Sequence, residues 1–227
     1  PPVGAWSLLA PPGWRLSGTL DVETALSGTL GSPLWNGRLQ AKDLAVRSVV
    51  DGIDFSQGTL NARLKDQSLV IDEFSIQGAG GSQGGQLVLK GWVEWLPTAD
   101  QPAADALDHV RMSLNASLNA LRLSARVDRR LVMSGQLNAR LADRQLAIRG
   151  DLKADEALII LPDDAAPKLG KDVVVRGRAS TETAAPVPVE PAKKMTPDLA
   201  INLDLGPNFQ LKGRGLNTRL AGQLELT

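Results

Sequence analysis

The side chains that could do chemistry in this chain are few and scattered. The single histidine, His109, follows Asp105 and Asp108, but the chain has no second histidine and no cysteine to complete a metal site or a nucleophile–base pair. Asp163 and Asp164 form a carboxylate pair next to a proline, a context typical of a solvated loop. No serine sits in a Gly-x-Ser-x-Gly elbow between a strand and a helix. We therefore expect a protein that is not an enzyme and that needs no cofactor and no metal.

A local basic cluster is the next candidate for a site. Arg126, Arg129 and Arg130 surround Asp128, and guanidinium groups of this kind could contact phosphate headgroups. The same composition is typical of a charged turn at the end of a strand, and we favour that interpretation. The glycine-rich stretch from Gly78 to Gly85 lacks the Gly-Lys-Ser/Thr and the following helix of a phosphate loop, so it predicts a hairpin connection.

Composition excludes several classes of partner. Twenty-five basic and 25 acidic residues give a formal net charge of zero, so bulk charge favours neither nucleic acid nor an anionic membrane surface. Without cysteine, the fold cannot depend on disulfides. Tyrosine is also absent and phenylalanine occurs three times, so leucine, valine and isoleucine supply most of the apolar surface.

The elements that must position any site are β-strands. From Trp14 to Leu30 the even positions are apolar or glycine, apart from Thr24, and the odd positions are nearly all polar. A period of two indicates a strand with one apolar and one polar face, and the pattern recurs through most of the chain. Twenty-two glycines and 14 prolines agree with many turns, and no stretch shows the period of an amphipathic helix. We predict an all-β antiparallel meander.

The apolar face of such a sheet must be buried, and three arrangements would bury it. A membrane barrel is disfavoured because a chain without tyrosine lacks aromatic girdles. A packed sandwich, as in an enzyme or adhesin module, remains open. A trough filled by ligand is favoured by the sparse aromatics and by glycines that recur inside strands, as at Gly18, Gly28, Gly58, Gly135 and Gly222. Acyl chains would suit such a trough, since each buried methylene contributes about 0.8 kcal/mol.

Several segments resemble the TamB family, also called the translocation and assembly module. Gly28–Leu39 fits the pattern G-x-L-x-x-P-x-x-x-G-x-L of that family, and the resemblance continues through 130–137, 148–152, 172–175, 203–206, 213–216 and 220–224. The order of these segments along the chain is more specific than any one of them.

The resemblance implies a fold, a place and a function. The fold is an elongated curved antiparallel sheet folded into a U-shaped β-taco with a hydrophobic groove, as in AsmA-like and bridge-like lipid transfer proteins. The place is the periplasm of Gram-negative bacteria, in a protein anchored in the inner membrane and reaching the outer membrane. The function is phospholipid transport between the two membranes, or alternatively assistance to outer-membrane protein and autotransporter assembly with TamA, its barrel partner.

The expected organisation is a loose N-terminal segment, 1–13, followed by a single β-taco segment, 14–227, cut from a longer protein. Linkers are expected at about 97–109 and 178–197, and any membrane anchor lies outside the segment. The family pattern supplies no catalytic residues. Apolar positions of one parity predict the residues that line the groove for phospholipid acyl chains: Leu16, Leu20, Val22, Leu26, Leu30, Leu87, Leu89, Val93, Leu114, Leu118, Met133, Leu137, Leu141, Ile148, Leu152, Leu199, Ile201, Leu203, Leu205, Leu220 and Leu224.

Overall fold

A computed structural model describes residues 13–29, 32–95, 109–162 and 197–227 of the chain. Within these residues the regular structure is one curved sheet of 12 strands, with a short 3-10 helix at Gly81–Gln83. The strands are β1 Trp14–Thr29, β2 Ser32–Ser48, β3 Ile53–Asp66, β4 Ser68–Gln77, β5 Gln86–Trp95, β6 Val110–Ala125, β7 Arg129–Ala142, β8 Gln145–Ile160, β9 Asp198–Asp204, β10 Phe209–Gly213, β11 Leu216–Leu220 and β12 Gln223–Leu226. The all-β, taco-like fold expected from the sequence is confirmed.

Several predicted features fall outside the described residues. These are Leu30, nearly all of segment 1–13, and most of both predicted linkers. Gly13, His109 and Pro197 are the described members of those segments.

Tight turns join most neighbouring strands. Between β7 and β8, Asp143 and Arg144 have φ angles of 50° and 63°, the left-handed pair that a two-residue hairpin turn requires. Such a turn matches the twist of the strands it joins, which is why an Asp-led pair of residues can reverse the chain here. The residues on either side, Ala142 and Gln145, are already paired across the ladder.

The sheet departs from the predicted meander at its C-terminal side. Strands β1 to β8 pair in sequence order and antiparallel, but β9 and β10 both run parallel to β8. Strand β8 is long enough to hold both partners, with Ala147–Lys153 beside β9 and Ala157–Ile160 beside β10. The sheet is therefore mixed, because the chain re-enters beside the start of β8 instead of turning back at its end.

The sheet narrows at one rim, where β4 and β5 stop early. These strands have ten residues each, whereas β3 and β6 have 14 and 16. Beyond their ends β3 and β6 approach each other directly, and the Ala125 amide donates to the Gly52 carbonyl at 3.1 Å. The glycine-rich connection 78–85 forms the predicted hairpin link between β4 and β5. It is held to β6 by backbone bonds from Ala79 N to Arg122 O and from Arg122 N to Gly84 O.

Bulges keep the apolar parity aligned where strands slip. In β6 the register shifts between Leu118 and Leu121, and Ala120 takes a φ of 45° at that point. The bulge places both Leu118 and Leu121 among the buried side chains, although their spacing is odd. Together with Met133 they form the hydrophobic core cluster of the sheet.

One strand glycine shows why the recurring glycines are needed. Gly135 in β7 has a φ of 142°, and a Cβ built on it would lie 2.1 Å from the Asp151 carbonyl oxygen of β8. No side chain fits at that distance, so the close approach of β7 and β8 depends on glycine. The glycine repeat seen in the sequence thus includes a position of tight strand contact.

Candidate functional site

The candidate site is the apolar face of the sheet, built from rows of side chains that run across the strands. The longest row passes through Leu20, Ala41, Leu60, Phe74, Leu89, Ala116, Leu137, Gly150, Ile201 and Leu226, each paired with the next. At about 4.8 Å per strand this row extends about 40 Å. Directly opposed residues project from the same face, so the row is a continuous apolar track perpendicular to the strands.

Two further rows flank the first. On one side are Val22, Leu39, Ala62, Ile71, Gly91, Leu114, Ala139, Ile148 and Leu199. On the other are Ile76, Leu87, Leu118, Gly135, Leu152, Leu203 and Leu224. Thirteen of the residues predicted to line the groove lie in these three rows: Leu20, Val22, Leu87, Leu89, Leu114, Leu118, Leu137, Ile148, Leu152, Leu199, Ile201, Leu203 and Leu224.

The remaining predicted residues lie beside these rows. Val93 and Leu141 belong to a fourth row with Leu64, Leu69 and Met112. Four of the others lie opposite an apolar residue: Leu16 opposite Val46, Leu26 opposite Trp35, Met133 opposite Leu121 and Ala154, and Leu220 opposite Phe209. Leu205 is buried just after β9, and its amide donates to the Gly222 carbonyl.

Burial is graded from the middle of the face to its edges. Several members of the face are buried, and most of the others in its centre are half-buried; the buried ones are Ala41, Ala62, Ile76, Leu118, Leu121, Met133, Leu141 and Leu205. At the two edges the same face is open, since Leu26 on β1 is 61% exposed and Leu224 on β12 is 49% exposed. The apolar face is thus shielded by its own curvature in the centre and available to a ligand or a further strand at its edges.

The predicted set omitted a large part of the face. Strands β2, β3 and β4 contribute Leu39, Leu60, Ile71, Phe74 and Ile76. Alternation marks each short run, as at Phe74 and Ile76, but a bulge between Ile71 and Phe74 changes the parity within β4. Leu121 was harder to place because its parity depends on the bulge at Ala120.

The opposite face is polar, and side-chain hydrogen bonds and ion pairs connect its neighbouring strands. Arg63 Nε donates to Asp72 at 2.7 Å across β3 and β4, and Asn138 donates to Asn115 at 2.5 Å across β6 and β7. The hydrogen bond from Arg63 lowers the pKa of the Asp72 carboxyl, and the charge of Arg63 acts in the same direction. These pairs are exposed, so they specify register and orientation more than they stabilise the sheet.

The basic cluster noted in the sequence lies at the narrowed rim. We call the turn between β2 and β3 (49–52) together with the turn between β6 and β7 (126–128) the double turn. Arg126 donates a hydrogen bond to the Val50 carbonyl, and this bond joins the two turns. Within its own turn, Arg126 also donates to Asp128 at 2.7 Å. That hydrogen bond to Asp128 and the charge of Asp128 raise the pKa of Arg126. The predicted charged turn at a strand end is therefore present, and it also contacts a second turn.

A cleft of about 940 Å³ opens beside the double turn. Three arginines line it, Arg47, Arg122 and Arg126, together with Val49 and Val127. Arg47 pairs with Asp54 at 3.0 Å, whereas the Arg122 guanidinium donates to the Ala79 carbonyl and keeps a buried Nε without a hydrogen-bond partner. Smaller concavities line the polar face, among them one beside Lys90, Asn115 and Arg149.

The other chemical candidates are not brought together. Among the described residues no group of three histidine, cysteine or carboxylate side chains could hold a metal ion. In the same residues no helix is long and apolar enough to cross a membrane. Asp105, Asp108, Asp163 and Asp164 lie outside the described residues.

Comparison with known proteins supplies one match. A protein-family model described as the TamB C-terminal domain matches residues 72–227, which include β5 to β12 and most of the apolar face. No curated protein and no solved structure matches the chain.

Proposed function

The chain belongs to the TamB family, which acts in outer-membrane assembly and lipid transport, and from this premise we propose that its apolar face carries phospholipids between the inner and outer membranes. The observation that carries the proposal is the continuous row from Leu20 to Ile201, in which nine neighbouring strands each place an apolar residue or glycine on one face. The track gives acyl chains an uninterrupted apolar path of a length that one lipid could not fill.

The chemistry of the face fits a carrier. Aliphatic side chains stabilise a bound acyl chain in proportion to the area buried and without directional bonds, so a lipid can move from one row position to the next at little cost. The opposite face is polar, with exposed ion pairs and hydrogen bonds between side-chain amides, and it can remain in contact with water while the apolar face binds lipid. We further propose that the chain binds without catalysing a reaction and that it works in the periplasm within an inner-membrane-anchored protein.

In-cell photo-crosslinking in the intact protein tests this proposal. A photoreactive residue replaces Leu137 or Leu203 on the apolar face, and Gln136 or Asn202 serves as the matched control one position away on the exposed polar face. Phospholipid adducts at the two leucine positions and a much lower yield at the controls are expected. Equal yields on both faces, or no lipid adduct at either leucine, would contradict the proposal.

A second candidate function is favoured by strand β1, which is an edge of the sheet within the described residues. Strand β1 has 16 residues and, among the described strands, pairs with β2 alone, so its other side offers backbone groups to an incoming strand. That arrangement would suit a scaffold for outer-membrane protein and autotransporter assembly with a TamA-like barrel. A photoreactive residue at Glu23 on this edge would then capture client protein strands, whereas the lipid carrier predicts no protein adducts there.

A further inference from the structure

The double turn is held together across a long stretch of sequence. The Ser124 hydroxyl lies 3.2 Å from the Asp51 carbonyl oxygen, and the Ala125 amide donates to the Gly52 carbonyl. Arg126 and Arg129 add bonds to the Val50 and Asp51 carbonyls. Four separate hydrogen-bonded contacts therefore fix two turns that the three intervening ladder steps would otherwise keep about 14 Å apart.

The double turn presents aliphatic side chains to solvent. Val127 is 93% exposed, Val49 81% and Val50 69%. Single exposed aliphatics are ordinary on protein surfaces, but three that converge at the tips of two bonded turns form a projecting apolar point. They do not belong to the rows of the apolar face, so the carrier face leaves them unexplained.

Arginine side chains line the same cleft as Val49 and Val127. Arg47 and Arg126 in the cleft are each paired with a carboxylate, Asp54 and Asp128. Within the described residues Arg122 has no ion-pair partner, and its contacts are the Ala79 carbonyl and the surrounding backbone. Arg122 is therefore the guanidinium of the cleft that no described carboxylate pairs with, although Asp54 and Asp128 also line the cleft.

We propose that the double turn is a phospholipid-contacting rim, in which the cleft binds the phosphate group of a glycerophospholipid at Arg122 while Val49, Val50 and Val127 enter the acyl region of the lipid layer. An aliphatic tip backed by arginines matches the depth order of a lipid leaflet, with hydrocarbon beyond the phosphates. A free phosphate would use the arginines but not the valines, and a protein partner would require an adjoining apolar area that the charged surroundings do not offer.

This inference rests on the proposed function, because it names the place on the sheet where a lipid would meet the carrier. The rim proposal can nevertheless be wrong while the proposed function is right. If lipid adducts form at Leu137 and Leu203 while the rim variants below bind vesicles normally, the carrier stands and the rim proposal is wrong.

Vesicle flotation of the 227-residue chain tests the rim directly. The probes are vesicles of phosphatidylethanolamine and phosphatidylglycerol, soluble dihexanoylphosphatidylglycerol, and inorganic phosphate in place of lipid. The apolar variant is V49D/V127D, and its matched control is Trp92→Asp on β5, an apolar residue that is 40% exposed on the polar face, away from the double turn. The cationic variants are Arg122→Gln and Arg122→Lys, with Arg140→Gln on the polar face as the charge-matched control.

The expected results separate the two parts of the rim. V49D/V127D should weaken vesicle binding by roughly a hundredfold or more, because it removes two aliphatic side chains and the burial of each is worth about tenfold or more. Arg122→Gln should weaken binding of dihexanoylphosphatidylglycerol several-fold, and Arg122→Lys should restore most of it. Circular dichroism and urea unfolding confirm that each variant is folded.

Three outcomes would overturn the proposal. The first is vesicle binding that is unchanged in V49D/V127D or reduced equally in the Trp92→Asp control. The second is Arg122-dependent binding of inorganic phosphate without vesicle binding, which would indicate a free-anion site. The third is a folded wild-type chain that binds none of the lipid probes, which would leave the double turn to a protein partner.

Discussion

Ser124 and Asp51, 73 positions apart in the sequence, are joined by a hydrogen bond from the Ser124 hydroxyl to the Asp51 carbonyl oxygen. The Ser124 side chain is 7% exposed, and its oxygen also lies 3.3 Å from the Arg129 carbonyl. One small buried hydroxyl thus connects the end of β6, the start of β7 and the turn before β3. The narrowed rim is a specific bonded arrangement of these three segments.

We expect Ser124→Ala to destabilise the fold by about 1 kcal/mol, because it removes a hydrogen bond made by a buried hydroxyl, while the Asp51 carbonyl keeps Arg129 as a donor. Urea unfolding monitored by circular dichroism gives the free energy of unfolding. Ser68→Ala is the matched control, since it removes a hydroxyl that bonds the Lys65 carbonyl at 2.8 Å in an exposed turn. An equal loss of unfolding free energy in the two variants would show that the Ser124 hydrogen bond stabilises the fold no more than an exposed one.

Gly135→Ala should destabilise the sheet by more than about 3 kcal/mol, because the new Cβ would lie 2.1 Å from the Asp151 carbonyl oxygen. Gly215→Ala separates the clash from the backbone strain. Gly215 also has a positive φ, 77°, but a Cβ there meets nothing within 4 Å, so a loss of about 1 kcal/mol is expected. Thermal unfolding of both variants measures the difference, and similar melting temperatures would argue against close packing of β7 on β8.

The Asp72 carboxyl should titrate below its ordinary value of 3.8, because Arg63 donates a hydrogen bond to its charged form. A folded-state pKa below the unfolded one means that the pair favours folding above the ordinary pKa and loses that effect as the pH falls through the lowered value. Carboxyl-carbon NMR titration measures the pKa. The Arg63→Gln variant should bring it back toward 3.8, and an unshifted value in the wild type would show that the pair does not form in solution.

Leu137→Asp should abolish lipid adducts at a photoreactive residue placed at 203, because it puts a charge in the middle of the apolar row next to the core cluster. Gln136→Asp places the same charge on the exposed polar face and should leave the adducts unchanged. Protease resistance of both variants establishes that they are folded. Adducts that persist in a folded Leu137→Asp variant would show that lipid does not travel along this row.

Parity explains how much of the architecture was accessible from sequence alone. Alternation at positions such as Leu87, Leu89 and Val93 predicted both a strand and the face that each side chain takes, and the register of β4 to β6 places all three on one face. The same rule would have included Leu60, which alternates with Ala62 and Leu64. The all-β class, the hairpin at 78–85 and the charged turn at Arg126 also follow from local patterns.

Direction and long-range contacts were not accessible in this way. Nothing in the alternation of Leu199, Ile201 and Leu203 distinguishes a parallel neighbour of β8 from an antiparallel one, because side chains alternate identically in both. The bond between Ser124 and Asp51 depends on β4 and β5 ending early, which is a property of four strands together. Local periodicity contains neither kind of information.

The rows across the sheet restrict the number of residues that can be inserted within a strand. Inside a strand such as β8, adding one residue would turn every later side chain to the opposite face, so that Leu152 would meet water and Asp151 would meet the neighbours of Leu118. Adding two residues, or one residue that forms a bulge like that at Ala120, would preserve the face. Strands of this kind can therefore lengthen gradually in evolution only by pairs of residues or by bulges, while their turns are free to vary by single residues.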